Sequence, residues 1–131
     1  MSRKTVVILL ALATGALLEL GIGILSGRRE AWDAAIYWTR GVPVALVMSL
    51  FIGLIGGRGD WLWAAVVVPS QVTTMMVRNG DILGSLGLWP LMVAVTSLLS
   101  APFVGAAYVG FRVRTRWQHR RVLDESASSR N

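Results

Sequence analysis

Apolar residues along the chain fall into four long runs that together contain a single charged side chain, Glu19. A helix needs about 20 mostly apolar residues, with roughly 17 to 25 as the usual range, to cross the hydrocarbon core of a bilayer. The runs lie at Thr5–Ser26, Gly41–Gly57, Trp61–Val77 and Leu86–Phe111. The pattern predicts an all-α, polytopic membrane protein with four transmembrane helices in one domain, residues 1–111. We expect the first run to stay in the protein and not to be cleaved as a signal peptide, because Glu19 interrupts it.

The stretch between the first two runs, Arg29–Arg40, reads "REAWDAAIYWTR". At helical spacing it separates an apolar face from a polar one, which predicts a short amphipathic helix lying in the membrane interface. The apolar face would hold Trp32, Ala35, Ile36 and Thr39, and the polar face Glu30, Asp33, Tyr37 and Arg40. This helix would be either a connector on the membrane surface or a gate or partner surface above the bundle.

Composition and charge narrow the class of protein. Hydrophobic residues make up 54% of the 131 residues, and there is no cysteine, which excludes disulfides and thiolate metal sites. The net charge of +6 lies in loops and tails, which indicates anionic lipid headgroups and no nucleic acid as the partner. Nine lysines and arginines fall on the side that holds both termini and four on the other side. This bias predicts that both termini are cytoplasmic.

The segment after the fourth run, residues 112–131, is a basic juxtamembrane segment followed by a tail. Arginines beside a membrane helix gain about 1 kcal/mol each from anionic lipid. We expect the following residues to contact lipid headgroups: Arg112, Arg114, Arg116, Arg120 and Arg121. The final "DESASSRN" has the composition of a disordered tail.

Small side chains recur at every fourth position in three of the four runs. Membrane helices associate through close backbone approach, which such spacing permits. The ridges are Ala11, Gly15, Glu19, Gly23 and Gly27; Ala45, Ser49, Gly53 and Gly57; and Ser97, Ala101 and Gly105. They predict tight helix crossings within the bundle or between chains, and hence a homo-oligomer or a larger membrane complex.

Glu19 lies at the centre of the first ridge, so it is expected to face protein and not lipid. An ionised side chain there costs roughly 2.5 to 3.5 kcal/mol on insertion scales, which the surrounding Leu, Ile and Val residues offset. Gln71 on the third helix is the expected hydrogen-bond partner. The pair would line a polar cavity together with Thr74, with Arg78 at its outer mouth. Alternatively, Ser70 and Gln71 replace the backbone hydrogen bond that is lost at Pro69. A structural role and a proton or cation role for Glu19 both remain open.

Motifs for catalysis are missing from the sequence. It has no glycine-rich phosphate loop followed by lysine, no matching serine, histidine and carboxylate set, and no histidine or acidic cluster for a metal. We therefore predict a protein that is not an enzyme and that needs no metal or cofactor.

Four stretches, "YWTRGVP", "GDWLWA", "VRNGDILGSLGLWPL" and "SAPFVGAAYVG", resemble a group of small uncharacterised proteobacterial inner-membrane proteins with four helices. That group shares a Trp-rich turn and an Arg-Asn-Gly-acidic turn followed by Trp-Pro. The resemblance covers about Tyr37 to Gly110 and implies a bacterial inner-membrane location, but no activity.

Two functional hypotheses follow from these features. In the first, the protein is a non-catalytic accessory or assembly subunit of an inner-membrane complex. In the second, it is a small homo-oligomeric transporter or channel in which Glu19 exchanges protons or cations. The abundance of ridges against a single intramembrane acid favours the first.

Overall fold

The computed structural model describes residues 1–28, 30–80 and 89–128, with the side chains of residues 89 and 122–128 left aside. Every regular element in these ranges is helical, so the all-α prediction is confirmed. The four α-helices are α1, Arg3–Ser26; α2, Val42–Ile55; α3, Val67–Asn79; and α4, Trp89–Ser128. The helical backbone of α4 includes residues 124–128, for which the sequence predicted disorder.

Three helical segments are long and apolar enough to cross a membrane: Arg3–Ser26, Tyr37–Ile55 and Pro90–Arg121. The third predicted run differs, because a 3₁₀ helix over Asp60–Val66 precedes the 13 residues of α3. Proline at position 69 has no N–H to donate to the carbonyl of Ala65 four residues earlier. The Ser100 hydroxyl of α4 lies 3.0 Å from that carbonyl and 2.7 Å from the Thr96 carbonyl of its own helix, so its one proton is shared between two acceptors. A hydroxyl of the neighbouring helix thus replaces part of the lost bond at this break.

The connector before α2 is not the single amphipathic helix that the sequence predicted. A 3₁₀ turn at Ala31–Asp33 ends in extended backbone at Ala34, and a π-helical turn, Tyr37–Gly41, then leads into α2. The two predicted faces do not form, because Ala31, Ala34 and Tyr37 are buried together against Ile22 of α1. The connector is therefore packed onto the bundle. Arg29 lies outside the described residues.

The helices form two parallel pairs. Gly15 and Gly23 of α1 lie beside Ser70 and Arg78 of α3 in the same order, so these helices run parallel. Leu50 and Ile55 of α2 likewise follow the order of Gly110 and Arg114 of α4. Between the pairs, α1 and α2 run antiparallel, since Arg3 contacts Ile55. Two apolar clusters fill the interior: Val7, Ala11, Ile52 and Val67; and Ala45, Ala64, Val68, Val72, Phe103 and Ala107.

Glycines mark the closest crossings within each parallel pair. A β-carbon on Gly15 would lie 1.8 Å from Ser70 Oγ and 2.2 Å from the Val67 carbonyl oxygen. A β-carbon on Gly53 would lie 1.8 Å from the Ala107 carbonyl oxygen, and one on Gly110 would lie 2.2 Å from that of Leu50. Any side chain at these positions would force the helices apart. Ser49 of the same α2 ridge is fully buried and donates to the Ala45 carbonyl at 2.8 Å.

Other predicted packing positions have different surroundings. Ala101 and Gly105 of α4 are exposed, because α4 turns Ser100, Phe103, Ala107 and Gly110 towards the bundle instead. Gly27 ends α1 in the left-handed conformation, with φ of 64°, which glycine adopts without strain. Gly57 lies in the turn after α2, where its N–H donates to Asp60 Oδ2 at 2.6 Å.

The C-terminal carbonyls of α2 are bound by two arginines from other helices. Arg3 of α1 donates to the carbonyls of Ile55 and Gly56, and Arg114 of α4 donates to the same two carbonyls. These carbonyls have no partner within α2 and carry the negative end of its dipole. The arginines thus join α1, α2 and α4 at one end of the bundle, which we call the basic end.

Candidate functional site

Glu19 is the buried acid of α1, with 1% of its surface exposed. Its position follows from the four-residue spacing, because Gly15 and Gly23, one turn to either side, both lie against α3. The backbone of Ala31, in the connector, lies beside the Glu19 carboxylate. The carboxylate therefore points into protein, between α1, α3 and the connector.

Arg78 of α3 pairs with Glu19. Its Nη2 lies 3.3 Å from Glu19 Oε1, an ion-pair distance without the alignment of a hydrogen bond. The same guanidinium donates to the backbone carbonyls of Glu19, at 3.4 Å, and Arg28, at 3.1 Å. Gly23 provides the space for it, since a β-carbon there would lie 1.7 Å from Arg78 Nη1. The arginine side chain is 23% exposed, so it reaches from the surface inward to the acid.

Gln71 of α3 binds Tyr37 and not Glu19. The Tyr37 hydroxyl donates to Gln71 Oε1 at 3.0 Å, and both side chains are buried. The expected Glu19 to Gln71 hydrogen bond is not formed among the described residues: Arg78 pairs with the acid, and Gln71 Nε2, the only atom of the amide that could donate to a carboxylate, has no partner there. The polar interior thus has two pairs, one ionic and one neutral, which we call the polar cluster.

Thr74 uses its hydroxyl within its own helix. Its hydroxyl donates to the Ser70 carbonyl one turn earlier, at 2.8 Å. The Ser70 hydroxyl lies 2.9 Å from the Val67 carbonyl and 3.2 Å from that of Leu12 in α1. The hydroxyls of α3 are therefore directed at backbone carbonyls.

Two buried atoms of the polar cluster have no hydrogen-bond partner among the described residues: Glu19 Oε1, an acceptor, and Gln71 Nε2, a donor. Arg78 lies between the acid and an open cleft of about 350 Å³. The cleft is lined by Gly23, Ile24, Gly27, Arg28, Arg78 and Asn79. The acid is thus separated from the surface by its own arginine.

Tyr37 and Ala31 were missed as members of this site by the sequence reasoning, which placed Tyr37 on the polar face of an interfacial helix. The one available hint in the sequence was the tyrosine hydroxyl, because such a group usually has a hydrogen-bond partner when the side chain is buried. Nothing in the local sequence marks Ala31, since its place beside Glu19 depends on how the connector folds over α1.

The arginines after the fourth run point to different sides of α4. Arg112 is exposed, with Nη1 3.5 Å from the Tyr108 hydroxyl, and it shares a surface depression with Arg116 and Arg120. Arg114 and Arg121 instead lie along a groove beside the end of α2. The five predicted headgroup arginines therefore form two groups.

No protein-family model, no curated protein and no solved structure matches the chain. The resemblance to proteobacterial inner-membrane proteins stays a prediction.

Proposed function

We propose that the chain is a non-catalytic integral protein of the bacterial inner membrane and serves as an accessory or assembly subunit of a membrane complex. The observation that carries this proposal is the Glu19 to Arg78 ion pair, which joins α1 to α3 within one chain. The one acid of the apolar runs is neutralised by a built-in arginine, as in a structural brace between helices.

The dimensions of the helices support a membrane location. The hydrocarbon core is about 30 Å thick, and an α-helix rises about 1.5 Å per residue. The 3₁₀ helix before α3 rises about 2 Å per residue, so the 20 residues from Asp60 to Asn79 extend over about 33 Å. These residues form the fourth crossing in our proposal, although α3 alone is too short.

The distribution of positive charge supports cytoplasmic termini. Arg3, Arg58 and Arg114 all lie at the basic end, where α1 begins and α2 ends. Lysines and arginines are enriched on the cytoplasmic side of membrane proteins. We therefore place the basic end in the cytoplasm and the cleft at Arg78 on the opposite side.

Exposed apolar faces support a role in assembly. On α4, Leu91 is 61% and Leu98 is 76% exposed. The small residues Ser97, Ala101 and Gly105 are also exposed on this helix, and nothing in the described residues lies within 4 Å of a β-carbon placed on Gly105. Because small-residue ridges permit close helix contact in lipid, this surface suits a helix of a partner subunit.

Extraction from the native host membrane in mild detergent, followed by mass determination and subunit identification, tests the proposal. We expect stoichiometric co-purification with larger membrane subunits. Gly105→Leu should dissociate them, while the matched Gly21→Leu, at a site on α1 with equally open space, should not. Recovery of the chain as a monomer or as a homo-oligomer alone would contradict the accessory role.

A second candidate is a homo-oligomeric transporter or channel that couples to protons or cations at Glu19. The observation in its favour is that Glu19 Oε1 and Gln71 Nε2 are buried without hydrogen-bond partners among the described residues. Purified protein in liposomes would then carry a proton-linked flux that Glu19→Gln abolishes and Glu30→Gln, in the connector, preserves. A flux unaltered by Glu19→Gln would exclude this carboxylate as the coupling group.

A further inference from the structure

A groove of about 400 Å³ lies where α2 ends and α4 continues past it. Its walls are Leu54 of α2 and, on α4, Val113, Arg114, Trp117, Gln118 and Arg121. The α4 residues recur at intervals of three and four, so they form one continuous stripe along the helix. The groove therefore has an apolar end near Leu54 and Val113 and a polar end near Gln118 and Arg121.

Positive charge is available in this groove. Of the Arg114 guanidinium, Nη1 binds the carbonyls at the end of α2, and Nε and Nη2 donate to none of the residues that the structure describes. Arg121 makes no hydrogen bond or ion pair to the part of the chain that the structure describes. None of the described residues that line the groove is acidic. Two guanidiniums beside an apolar wall are suited to an anion that carries an apolar chain.

The length of the groove along α4 is sufficient to cross the headgroup layer of a bilayer. Val113 and Arg121 are about 12 Å apart along α4, at about 1.5 Å per residue. Each polar headgroup layer of a bilayer is about 5 to 7 Å thick, so this distance reaches from the acyl chains through the headgroups. Trp117, between them and 66% exposed, is a residue type enriched at that boundary.

We propose that this groove is a binding site for one anionic phospholipid. The phosphate lies between Arg114 and Arg121, and an acyl chain runs along Leu54 and Val113 with the Trp117 ring beside it. The proposal rests on the membrane location proposed above but not on the accessory role. It can therefore hold or fail whether or not a partner subunit exists.

Native mass spectrometry of the purified full chain in detergent, with phosphatidylglycerol added, tests the site. Arg114 is left intact because its loss would also release the end of α2. Arg121→Gln should weaken phosphatidylglycerol binding about fivefold, the effect of one arginine near an anionic lipid. The matched Arg120→Gln removes the same charge from the neighbouring position, which is outside the groove, and should change binding less than twofold. Equal losses in the two variants would overturn the proposal, since they would indicate general attraction to a basic helix.

Two further arms identify the ligand and its acyl chain. Phosphatidylcholine and inorganic phosphate should each bind more weakly than phosphatidylglycerol, and equal binding of either would overturn the proposed recognition of head and chain together. Phosphatidylglycerol with brominated acyl chains should quench tryptophan fluorescence at limiting lipid. This quenching should decrease in Trp117→Phe and persist in Trp38→Phe, whose ring is similarly exposed at the other end of the bundle. Quenching that is unchanged in Trp117→Phe would place the acyl chain elsewhere.

Discussion

Arg78 reaches Glu19 across Gly23 of α1, whose missing side chain leaves room for the guanidinium. The Nη2 to Oε1 distance is 3.3 Å, and the acid is 1% exposed. The ion pair therefore depends on the acid Glu19, the base Arg78 and the lack of a side chain at Gly23. The ion pair joins α1 to α3 where the buried interior borders the cleft that Arg78 lines.

Loss of Arg78 should be the most damaging single change in the polar cluster. Removing one partner of a buried ion pair leaves an uncompensated charge and costs about 3 to 5 kcal/mol. Because Arg78 is 23% exposed, we expect Arg78→Gln to lower the free energy of unfolding in micelles by about 3 kcal/mol. Reversible chemical unfolding measures this value.

The double variant Glu19→Gln/Arg78→Gln is the control for the ion pair. It removes both charges, so it should be more stable than Arg78→Gln alone. If the changes in unfolding free energy of the two single substitutions simply add in the double variant, the two residues are not coupled. The ion pair would then not stabilise the contact between α1 and α3.

Alanine at Gly15 should separate α1 from α3. The new β-carbon would lie 2.2 Å from the Val67 carbonyl oxygen, a backbone atom that cannot move without its helix. Overpacking of this kind costs about 1 to 3 kcal/mol. Gly21→Ala is the matched control on the same helix, because its β-carbon would meet nothing within 4 Å in the described residues. Thermal unfolding of both proteins should show a loss for Gly15→Ala alone, and equal midpoints would refute the crossing.

Ser100→Ala should uncover the carbonyl that Pro69 leaves without a donor. Hydrogen bonds between membrane helices contribute about 0.6 kcal/mol on average and up to about 1.7. We expect a loss of about 1 kcal/mol, because the Ala65 carbonyl would lose a hydroxyl that it shares with the Thr96 carbonyl. Ser97→Ala is the control, since that exposed hydroxyl binds the Val93 carbonyl of its own helix. The measurement is the free energy of unfolding.

The role of Pro69 provides a second test of this contact. In a Pro69→Ala background, alanine supplies the N–H that can bind the Ala65 carbonyl. The cost of Ser100→Ala should then shrink by about half or more, and an undiminished cost would show that the hydroxyl acts elsewhere.

Tyr37→Phe should destabilise the protein, because Gln71 would lose the hydrogen bond from the Tyr37 hydroxyl. Without that hydroxyl, Gln71 Oε1 loses the donor at 3.0 Å and stays buried, which costs about 1 to 3 kcal/mol. The other tyrosine, Tyr108, is exposed and contacts Arg112 at 3.5 Å, so Tyr108→Phe should be nearly neutral. A comparison of the two unfolding midpoints checks the assignment. Equal stability of the two variants would exclude the buried hydrogen bond.

The sequence was informative where structure depends on one helix. The four-residue spacing of Ala11, Gly15, Glu19 and Gly23 picks out the face of α1 that is buried, because helical periodicity relates sequence directly to a face. The all-α class follows from the same local pattern. On α4, the spacing of Ser97, Ala101 and Gly105 picks out an exposed face, since small residues do not say which partner they approach.

Partners between helices could not be derived in this way. Gln71, Thr74 and Arg78 all occur on α3, and the residue that reaches Glu19 depends on how far α3 is shifted along α1. The length of the arginine side chain and the gap at Gly23 decide the outcome. Tyr37 and Ser100 belong to the same class, because each binds an acceptor more than 30 residues away in sequence.

The two arginines that bind the end of α2 are made at different times during synthesis of the chain. Arg3 can reach the carbonyls of Ile55 and Gly56 as soon as the ribosome has released the second helix. Arg114 reaches the same carbonyls only after 58 more residues have followed Gly56. The end of α2 can therefore be bound by one arginine before α4 is made, and by both only when the chain has been extended through α4.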